Sequence, residues 1–206
     1  MKKIEKAVLC GIIIAILVAM VSDFSAFAKQ CDEIRGSCLR LHILANSDSV
    51  SDQNLKLKVR DKILSDSSEL FITAANKSQA MADVRKNLDK IKEIAQKEVY
   101  SEGYNYPVNV ELVNMYFTTK TYGDVTLPAG DYDAVRVLIG TAKGHNWWCV
   151  MFPPLCLPSA EGTVKLDKVL SKNQTSIVKG NKKPQIQIKF KVVEIYEGIV
   201  NYFRKK

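Results

Sequence analysis

The spacing of apolar residues predicts the secondary structure of the first half of the chain. Apolar and polar residues alternate over 39–43, which is the period of a half-buried strand. Apolar residues then recur every four positions, which predicts an amphipathic helix from Asp52 to about Leu64. A longer helix is predicted over 78–101, where an apolar residue returns every three or four positions and Gly103 is placed to end the helix. The apolar positions of the two helices are Leu55, Val59, Ile63, Met81, Val84, Leu88, Ile91, Ala95 and Val99.

Strand-like stretches dominate the next part of the chain. Residues 108–117, 132–139 and 147–152 have strand-like composition, and turn-forming residues separate them. A polar stretch over 171–184 is predicted to be a flexible loop. The segment over 186–203 contains the periods of both a strand and a helix, and we favour the helix because the segment is long and is followed by basic residues.

This order of elements indicates an α+β fold, because strands and helices do not alternate regularly as βαβ units. A length of 206 residues leaves room for one domain or at most two small ones. We therefore expect a single compact domain in which two or three helices pack on a small, mostly antiparallel sheet.

The first 28 residues have the features of an export signal. Lysines precede an uncharged apolar run over 7–21, and residues 26–28 (Ala-Phe-Ala) supply the small residues of a signal-peptidase site. The run spans about 22 Å as a helix, short of the ~30 Å hydrocarbon core, which favours cleavage after Ala28 over an uncleaved membrane anchor. Either outcome places the remainder outside the cytoplasm, as a short mobile leader over 29–38 and a domain over 39–206.

Composition and charge narrow the classes of function. Hydrophobic residues make up 47% of the chain and charged residues 25%, which excludes wholesale disorder. The net charge of +8 comes from the basic C-terminal segment, residues 163–206, which has 11 Lys or Arg and three Asp or Glu. A basic end on a neutral body fits an anionic membrane surface, an acidic partner or simple solubility. Nucleic acid is a poor fit, because no recognition motif accompanies the charge in an exported chain.

Four cysteines remain after the signal, and an oxidising compartment favours disulfides over free thiols or a zinc site. Four cysteines allow three connectivities, of which pairing between near neighbours is the simplest. We expect a Cys149–Cys156 disulfide, because two prolines between these residues turn the chain and bring the Cα atoms within ~7 Å. The pairing of Cys31 with Cys38 stays open.

Common catalytic templates are missing from the sequence. It contains no Gly-x-Ser-x-Gly elbow, no His-Glu-x-x-His, no phosphate-binding glycine loop and no dinucleotide-binding fingerprint. His145 and Cys149 do not make a good catalytic pair, since four residues along a strand span ~13 Å and proton transfer needs ~3 Å. His42 is expected to be a hydrogen-bonded structural imidazole. We predict a protein that is not an enzyme, with no catalytic residues, metal, cofactor or small-molecule substrate.

Two segments are unusual enough to suggest a binding surface. Six polar residues crowd the predicted strand-to-helix junction, where helix capping would use one or two. Adjacent tryptophans on a later strand point to opposite faces, so one enters the core and the other needs a second layer, a groove or a partner. If the two strands pair, both segments form one partner-binding surface. The alternative is that the polar side chains only hydrogen-bond to buried backbone groups at two unrelated turns. The candidate residues are Asn46, Ser47, Asp48, Asp52, Gln53, Asn146, Trp147 and Trp148.

The same segments resemble two long signatures of the stage II sporulation protein R family. The first consists of residues 39–49 (LRLHILANSDS), 52–53, 55–56 and 59–61, and the second of residues 128–132 (PAGDY), 139–140 and 146–156 (NWWCVMFPPLC). The resemblance covers about residues 39–157. Cys31 and Cys38 lie outside it.

The resemblance implies an exported signalling protein. Such proteins are made in the forespore during endospore formation and exported into the space between the forespore and mother-cell membranes. There they activate a membrane-embedded aspartic protease, which removes the pro-sequence of the mother-cell sigma factor, sigma-E. The alternative from a different class is an exported cell-envelope binding module or wall hydrolase whose tryptophans stack on sugar rings.

Overall fold

The computed structural model describes residues 3–67, 73–155, 166–180 and 183–204. These residues form seven helices and six strands. The helices are α1 (Lys3–Gly36), α2 (Val50–Asp66), α3 (Lys77–Lys86), α4 (Leu88–Ser101), α5 (Leu166–Val169), α6 (Lys172–Lys179) and α7 (Pro184–Arg204). The strands are β1 (Leu39–Leu44), β2 (Val108–Phe117), β3 (Lys120–Tyr122), β4 (Val125–Leu127), β5 (Gly130–Ile139) and β6 (Asn146–Phe152).

The main sheet has four strands in the order β2-β5-β1-β6. Strand β1 is parallel to β5 and antiparallel to β6, and β2 is antiparallel to β5. Strands β3 and β4 form a separate antiparallel hairpin. The α+β prediction with a mostly antiparallel sheet is therefore confirmed. The sheet also includes a parallel pair, which places the ends of β1 and β5 at the same edge.

Both faces of the sheet are covered. Helices α2, α3 and α4 cover one face, where their apolar residues pack with those of β1, β5 and β6. The end of α1, the β3–β4 hairpin and α6 cover the other. The first core includes Leu41, Ile43, Leu55, Val59, Ile91, Ala95, Val137 and Met151, and the second includes Ile34, Phe117, Leu127, Tyr132, Val150 and Val178.

Strand β1 is buried on both faces, so the prediction of a half-buried strand is wrong. Its polar residues Arg40 and His42 are 0% and 3% exposed, because the second layer covers them. The Arg40 guanidinium lies 4.3 Å from the centroid of the Phe117 ring. Arg40 donates to the backbone carbonyl of Cys149 at 3.2 Å and to the Tyr122 hydroxyl. Aromatic faces and two hydrogen bonds thus compensate part of the cost of burying the charge, while Nη1 of Arg40 has no hydrogen-bond partner among the described residues.

His42 is structural but does not have the hydrogen bonds expected for it. Within the described part of the chain, neither of its ring nitrogens has a hydrogen-bond partner. The ring instead packs against Trp148, with 5.1 Å between ring centroids, and against Phe117. Burial, followed by the charges of Arg136 and Arg40, lowers the pKa of His42 to about 4.

Acidification is therefore expected to destabilise the domain through His42. An unfolded histidine titrates near 6.5, so between pH 6.5 and 4 the unfolded chain binds more protons than the folded one. The contribution of His42 to stability is complete above pH 6.5 and decreases as the pH falls, with a loss of about 2.5 kcal/mol at pH 4.5. Urea unfolding above pH 6.5 and at pH 4.5 measures this difference in stability. His42→Leu should lose most of the difference, and an unchanged difference in this variant would contradict the assignment.

Residues 29–36 are the last turns of α1, not a mobile leader as predicted. Cys31 and Ile34 are fully buried, because α1 packs against α7 and the second core. Cys31 and Cys38 are free thiols, so the simplest pairing does not hold for them. Six residues separate them, most of these are helical, and a helix rises ~1.5 Å per residue, which carries the two Cα atoms beyond the ~7 Å that a disulfide allows.

Three other local predictions also need correction. The helix predicted over 78–101 is divided at Asn87, whose side chain donates to the Asp83 carbonyl at 2.8 Å and competes with helix continuation. The β3–β4 hairpin was not predicted, because only turn-forming residues were expected between residues 117 and 132. Helix α6 occupies part of the expected flexible loop, and the side chains of Ser171 and Gln174 form a capping box at its start.

Helix α1 is long and apolar enough to cross a membrane, and its apolar part is exposed. An export signal satisfies the same criteria, so this finding is compatible with a signal peptide or an anchor. The predicted cleavage after Ala28 falls inside this helix.

Candidate functional site

Two loops lie against each other at one edge of the sheet, and we call them the two-loop edge. They are the β1–α2 loop (residues 45–49) and the β5–β6 loop (residues 140–145). They meet because Leu44 at the end of β1 pairs with Asn146 at the start of β6, while β5 runs parallel to β1 and ends beside it. The expectation that the two unusual segments come together is confirmed, and their role in binding a partner stays a prediction.

Backbone and side-chain hydrogen bonds hold the two loops together, mainly through Asn46. Its side-chain oxygen accepts from the backbone N–H of Thr141 at 2.9 Å, and its carbonyl accepts from the Thr141 hydroxyl at 2.7 Å. The N–H groups of Lys143 and Gly144 donate to the carbonyls of Asn46 and Ala45 at 3.2 and 2.9 Å. The β5–β6 loop is therefore held in place by the other loop.

Two glycines allow this close approach. Gly140 has a φ of +59°, which side chains rarely adopt, and a Cβ there would overlap the Asn46 side chain. A Cβ on Gly144 would overlap the backbone carbonyl oxygen of Ser47. Both positions are restricted to glycine by the contact between the loops.

Asp52 is a buried hydrogen-bond acceptor beneath the loops, 4% exposed. Its carboxylate accepts from the Asn46 amide at 2.9 Å and the Ser47 hydroxyl at 2.5 Å. Its backbone N–H donates to Ser49, the N-cap of α2, at 3.2 Å. Burial opposes the charged form of Asp52, but the hydrogen bonds from Ser47 and Asn46 outweigh it and lower its pKa. Asn46, Ser47 and Asp52 therefore support the loops from within.

Lys56 joins α2 to the second loop. Its ammonium group donates to the carbonyl of His145 at 2.9 Å and to the side chain of Gln53 at 2.6 Å. Gln53 in turn donates to the Ser47 carbonyl at 2.8 Å. Burial lowers the pKa of Lys56, and the nearby Asp48 carboxylate partly offsets this effect.

Asp48 and His145 form the exposed part of the two-loop edge. Their side chains are 56% and 79% exposed. The Asp48 carboxylate accepts from the backbone N–H of His145 at 2.5 Å and contacts Nδ1 of the same residue. These hydrogen bonds lower the pKa of Asp48. The pair therefore presents a charged carboxylate and an imidazole to solvent in a fixed arrangement.

The two tryptophans lie on opposite faces of the sheet, as predicted, and both are half-buried. Trp147 packs on the first core, and the Arg60 guanidinium lies 4.3 Å from its ring centroid. Trp148 packs on the second core, 4.5 Å from Phe117 between ring centroids. The second layer that the sequence analysis required for one of them is therefore part of the domain. Asn146 is exposed at the start of β6.

The structure brings the predicted binding residues to one region of the molecule, but with different roles. Asn46, Ser47, Asp52 and Gln53 make internal hydrogen bonds, Asp48 and Asn146 face solvent, and the tryptophans flank β6. Sequence reasoning missed several further residues of the region, namely Lys56, Arg60, Thr141, Gly144 and His145. The signal for Lys56 was its position one helical turn after Asp52. His145 was weighed only as a partner of Cys149.

No cluster of three or more His, Cys, Asp or Glu that could hold a metal occurs among the described residues. Cys149 is buried on β6. Its predicted disulfide partner, Cys156, lies outside the described ranges, so the Cys149–Cys156 disulfide stays a prediction.

Comparison with known proteins identifies the family. The model of the family described as stage II sporulation protein R matches residues 35–162. The chain is 39% identical over 149 residues to stage II sporulation protein R of Bacillus subtilis (strain 168). The matched region covers 70% of this chain and 66% of that relative. No solved structure matches. The matched residues include both loops of the two-loop edge, and the chain belongs to the stage II sporulation protein R family.

Proposed function

We propose that this chain is an exported signalling protein of endospore formation that activates a membrane-embedded aspartic protease. The protease then removes the pro-sequence of sigma-E in the mother cell. Membership of the family supports a role in sporulation. The apolar α1 is compatible with export from the forespore into the space between the two membranes. The two-loop edge is the surface offered to the protease.

The observation that carries this proposal is the exposed Asp48–His145 pair on a hydrogen-bonded frame. Asn46 and Lys56 fix the loops from below, so little conformational freedom is lost when a partner binds. Trp147 and Arg60 lie beside the β5–β6 loop, which carries His145, and their half-buried side chains add a rigid contact surface. A polar group with an aromatic neighbour is the composition expected of a protein interface.

A binding role fits this geometry better than wall hydrolysis. In the described parts of the chain, the Asp48 carboxylate bonds to His145 and Gln53, and the hydroxyl of the neighbouring Ser47 donates to the buried Asp52 carboxylate rather than to His145. Arg60 covers one face of Trp147, and Trp148 packs against the second core. The face of the Trp147 ring that Arg60 covers is therefore not available for stacking on a sugar.

The test is co-expression of the full chain with the protease and its sigma precursor in a non-sporulating host. We expect processing of the precursor only when the chain is present, and loss of processing for His145→Ala. Glu93→Ala is the matched control, because Glu93 is an exposed partner of Lys97 on α4. Processing that does not require the chain would contradict protease activation. Release of fragments from purified cell wall by the wild-type chain would support the hydrolase instead.

A further inference from the structure

Helix α7 carries a stripe of exposed apolar side chains, which we call the α7 stripe. Its members recur every three or four positions and so share one face of the helix. They are Ile188, Val192, Ile195, Tyr196, Ile199, Tyr202 and Phe203, each between 43% and 68% exposed. Large apolar residues scattered singly over a surface need no explanation, but a contiguous face of this size indicates an interaction site.

The α7 stripe points away from the domain because the opposite side of α7 is already packed. Phe190 and Val193 are buried against α1, where the rings of Phe190 and Phe27 are 5.5 Å apart between centroids. Glu197 accepts from Arg35 at 2.7 Å. The packed side therefore has its own core, and the stripe lies beyond it.

The charges of α7 leave the stripe with a basic rim. Lys189 and Lys191 flank its first half and Arg204 lies near its end, and each of these also makes an ion pair, with Asp23, Glu194 and Asp131 respectively. The sequence over 163–206 is nevertheless strongly basic, with 11 Lys or Arg against three Asp or Glu. The acidic residues of α7 are both in ion pairs, Glu194 with Lys191 at 3.3 Å and Glu197 with Arg35. An apolar face with basic edges complements a surface that is anionic outside and apolar inside.

The start of α7 is attached to α1 at the point where the apolar run of α1 ends. Lys189 pairs with Asp23 at 2.7 Å, two residues after that run. The part of α1 that precedes Asp23 has the composition of a membrane segment. The α7 stripe therefore starts beside the segment that enters the membrane during export.

We propose that the α7 stripe binds the surface of an anionic lipid bilayer, with its apolar side chains at the headgroup boundary and its basic rim on the headgroups. A bilayer satisfies both the apolar and the cationic character of α7. A second copy fits less well, because it would bring two C-terminal segments of the same positive charge together. This surface is separate from the two-loop edge, so the proposal does not depend on the protease.

The proposal also determines the orientation of the domain. Along their contact α1 and α7 run in the same direction, since Asp23 meets Lys189 and Arg35 meets Glu197. With the α7 stripe on the bilayer surface, both helices therefore run along that surface, and the domain contacts the bilayer through the side that carries α7. Cleavage after Ala28 would remove Asp23 and Phe27, so α7 would keep its contacts with Cys31 and Arg35 of α1. In an uncleaved chain α1 would have to enter the bilayer strongly tilted from the membrane normal.

The test uses the full chain with the environment-sensitive fluorophore NBD on the stripe. Cys10→Ser removes the exposed free thiol, Ile199→Cys provides the labelling site, and Cys31 and Cys38 are buried. In vesicles of phosphatidylcholine with phosphatidylglycerol we expect a blue shift of emission, most of which is lost at about 1 M salt or with Lys191→Gln. The matched control carries the fluorophore at Glu93→Cys on α4 and should show no shift.

Three results would overturn the proposal. One is an unshifted label at position 199 in chains that are bound to the anionic vesicles. Another is an equal shift in vesicles of phosphatidylcholine alone, which would remove the role of charge. The third is a shift without vesicles that grows with protein concentration, because a second copy would then cover the stripe. The vesicles contain no protease, so failure here is distinct from failure of the proposed function.

Discussion

Asp48→Ala is expected to abolish protease activation while the free energy of unfolding stays within about 1 kcal/mol of wild type. The Asp48 side chain is more than half exposed and accepts from His145 in the other loop. Its removal deletes the charged group at the two-loop edge, whereas the bonds of Asn46 and Lys56 remain. The measurements are precursor processing in the co-expression assay and urea unfolding of the purified variant.

Glu93→Ala is the matched control for this prediction, since it removes another exposed carboxylate that bonds a neighbouring side chain. It should leave both processing and stability unchanged. Trp147→Ala is less informative, because Trp147 packs on the first core and its truncation is expected to cost about 3 kcal/mol. Unfolding of the Asp48→Ala domain would contradict the stability prediction. Normal processing of the precursor in the presence of this variant would mean that the Asp48 side chain is not part of the binding surface.

Gly144→Ala is expected to lower the free energy of unfolding by about 2 kcal/mol or more and to reduce precursor processing. The added methyl group would overlap the backbone carbonyl of Ser47, which cannot move away as a flexible side chain could. The two loops must therefore separate, and the bond from Gly144 to the Ala45 carbonyl is lost. This disturbs the position of His145 relative to Asp48.

Gly36→Ala provides the control for backbone and composition effects, because a Cβ at Gly36 has no atom within 4 Å. Its stability should match or slightly exceed that of wild type. Thermal unfolding of both variants, with processing measured in parallel, tests the prediction. A Gly144→Ala variant as stable as wild type would mean that the loops do not make the close contact described above.

Where local periodicity is strong, sequence reasoning found the elements of the fold. The four-residue repeat of α2 and the composition of β2, β5 and β6 led to elements within a few residues of those observed. For the segment that forms α7, the helical interpretation was also right. These elements are predictable because their apolar residues face one neighbouring layer, and that requirement leaves a period in the sequence.

The errors occur where contacts between residues far apart in the sequence determine the burial or the secondary structure of a segment. Strand β1 alternates apolar and polar residues, yet Arg40 and His42 are buried because the β3–β4 hairpin and α6 form a second layer. Residues 29–36 are helical because α1 packs on α7, which lies more than 140 residues further along the chain. No local pattern reports such partners.

For the candidate site, the pairing of β1 with β6 was the step that sequence reasoning could make. The idea that the two segments share an edge followed from strand pairing, and the register of Leu44 with Asn146 bears it out. The sequence did not identify the Asp48–His145 pair, because the hydrogen bond joins residues of two loops whose backbone path depends on Gly140 and Gly144.

The sequence alone therefore determined the fold class, the export-type apolar segment and the two family signatures, because each is a property of neighbouring residues. Only the tertiary structure decided which polar groups of those signatures are used internally and which face solvent. Asp52 is buried and Asn46 is partly buried, while Asp48 nearby is exposed, although all three have short polar side chains. Burial of a side chain depends on which segments pack over it. Here the β5–β6 loop packs against the β1–α2 loop, although the two are separated by about 95 residues in the sequence.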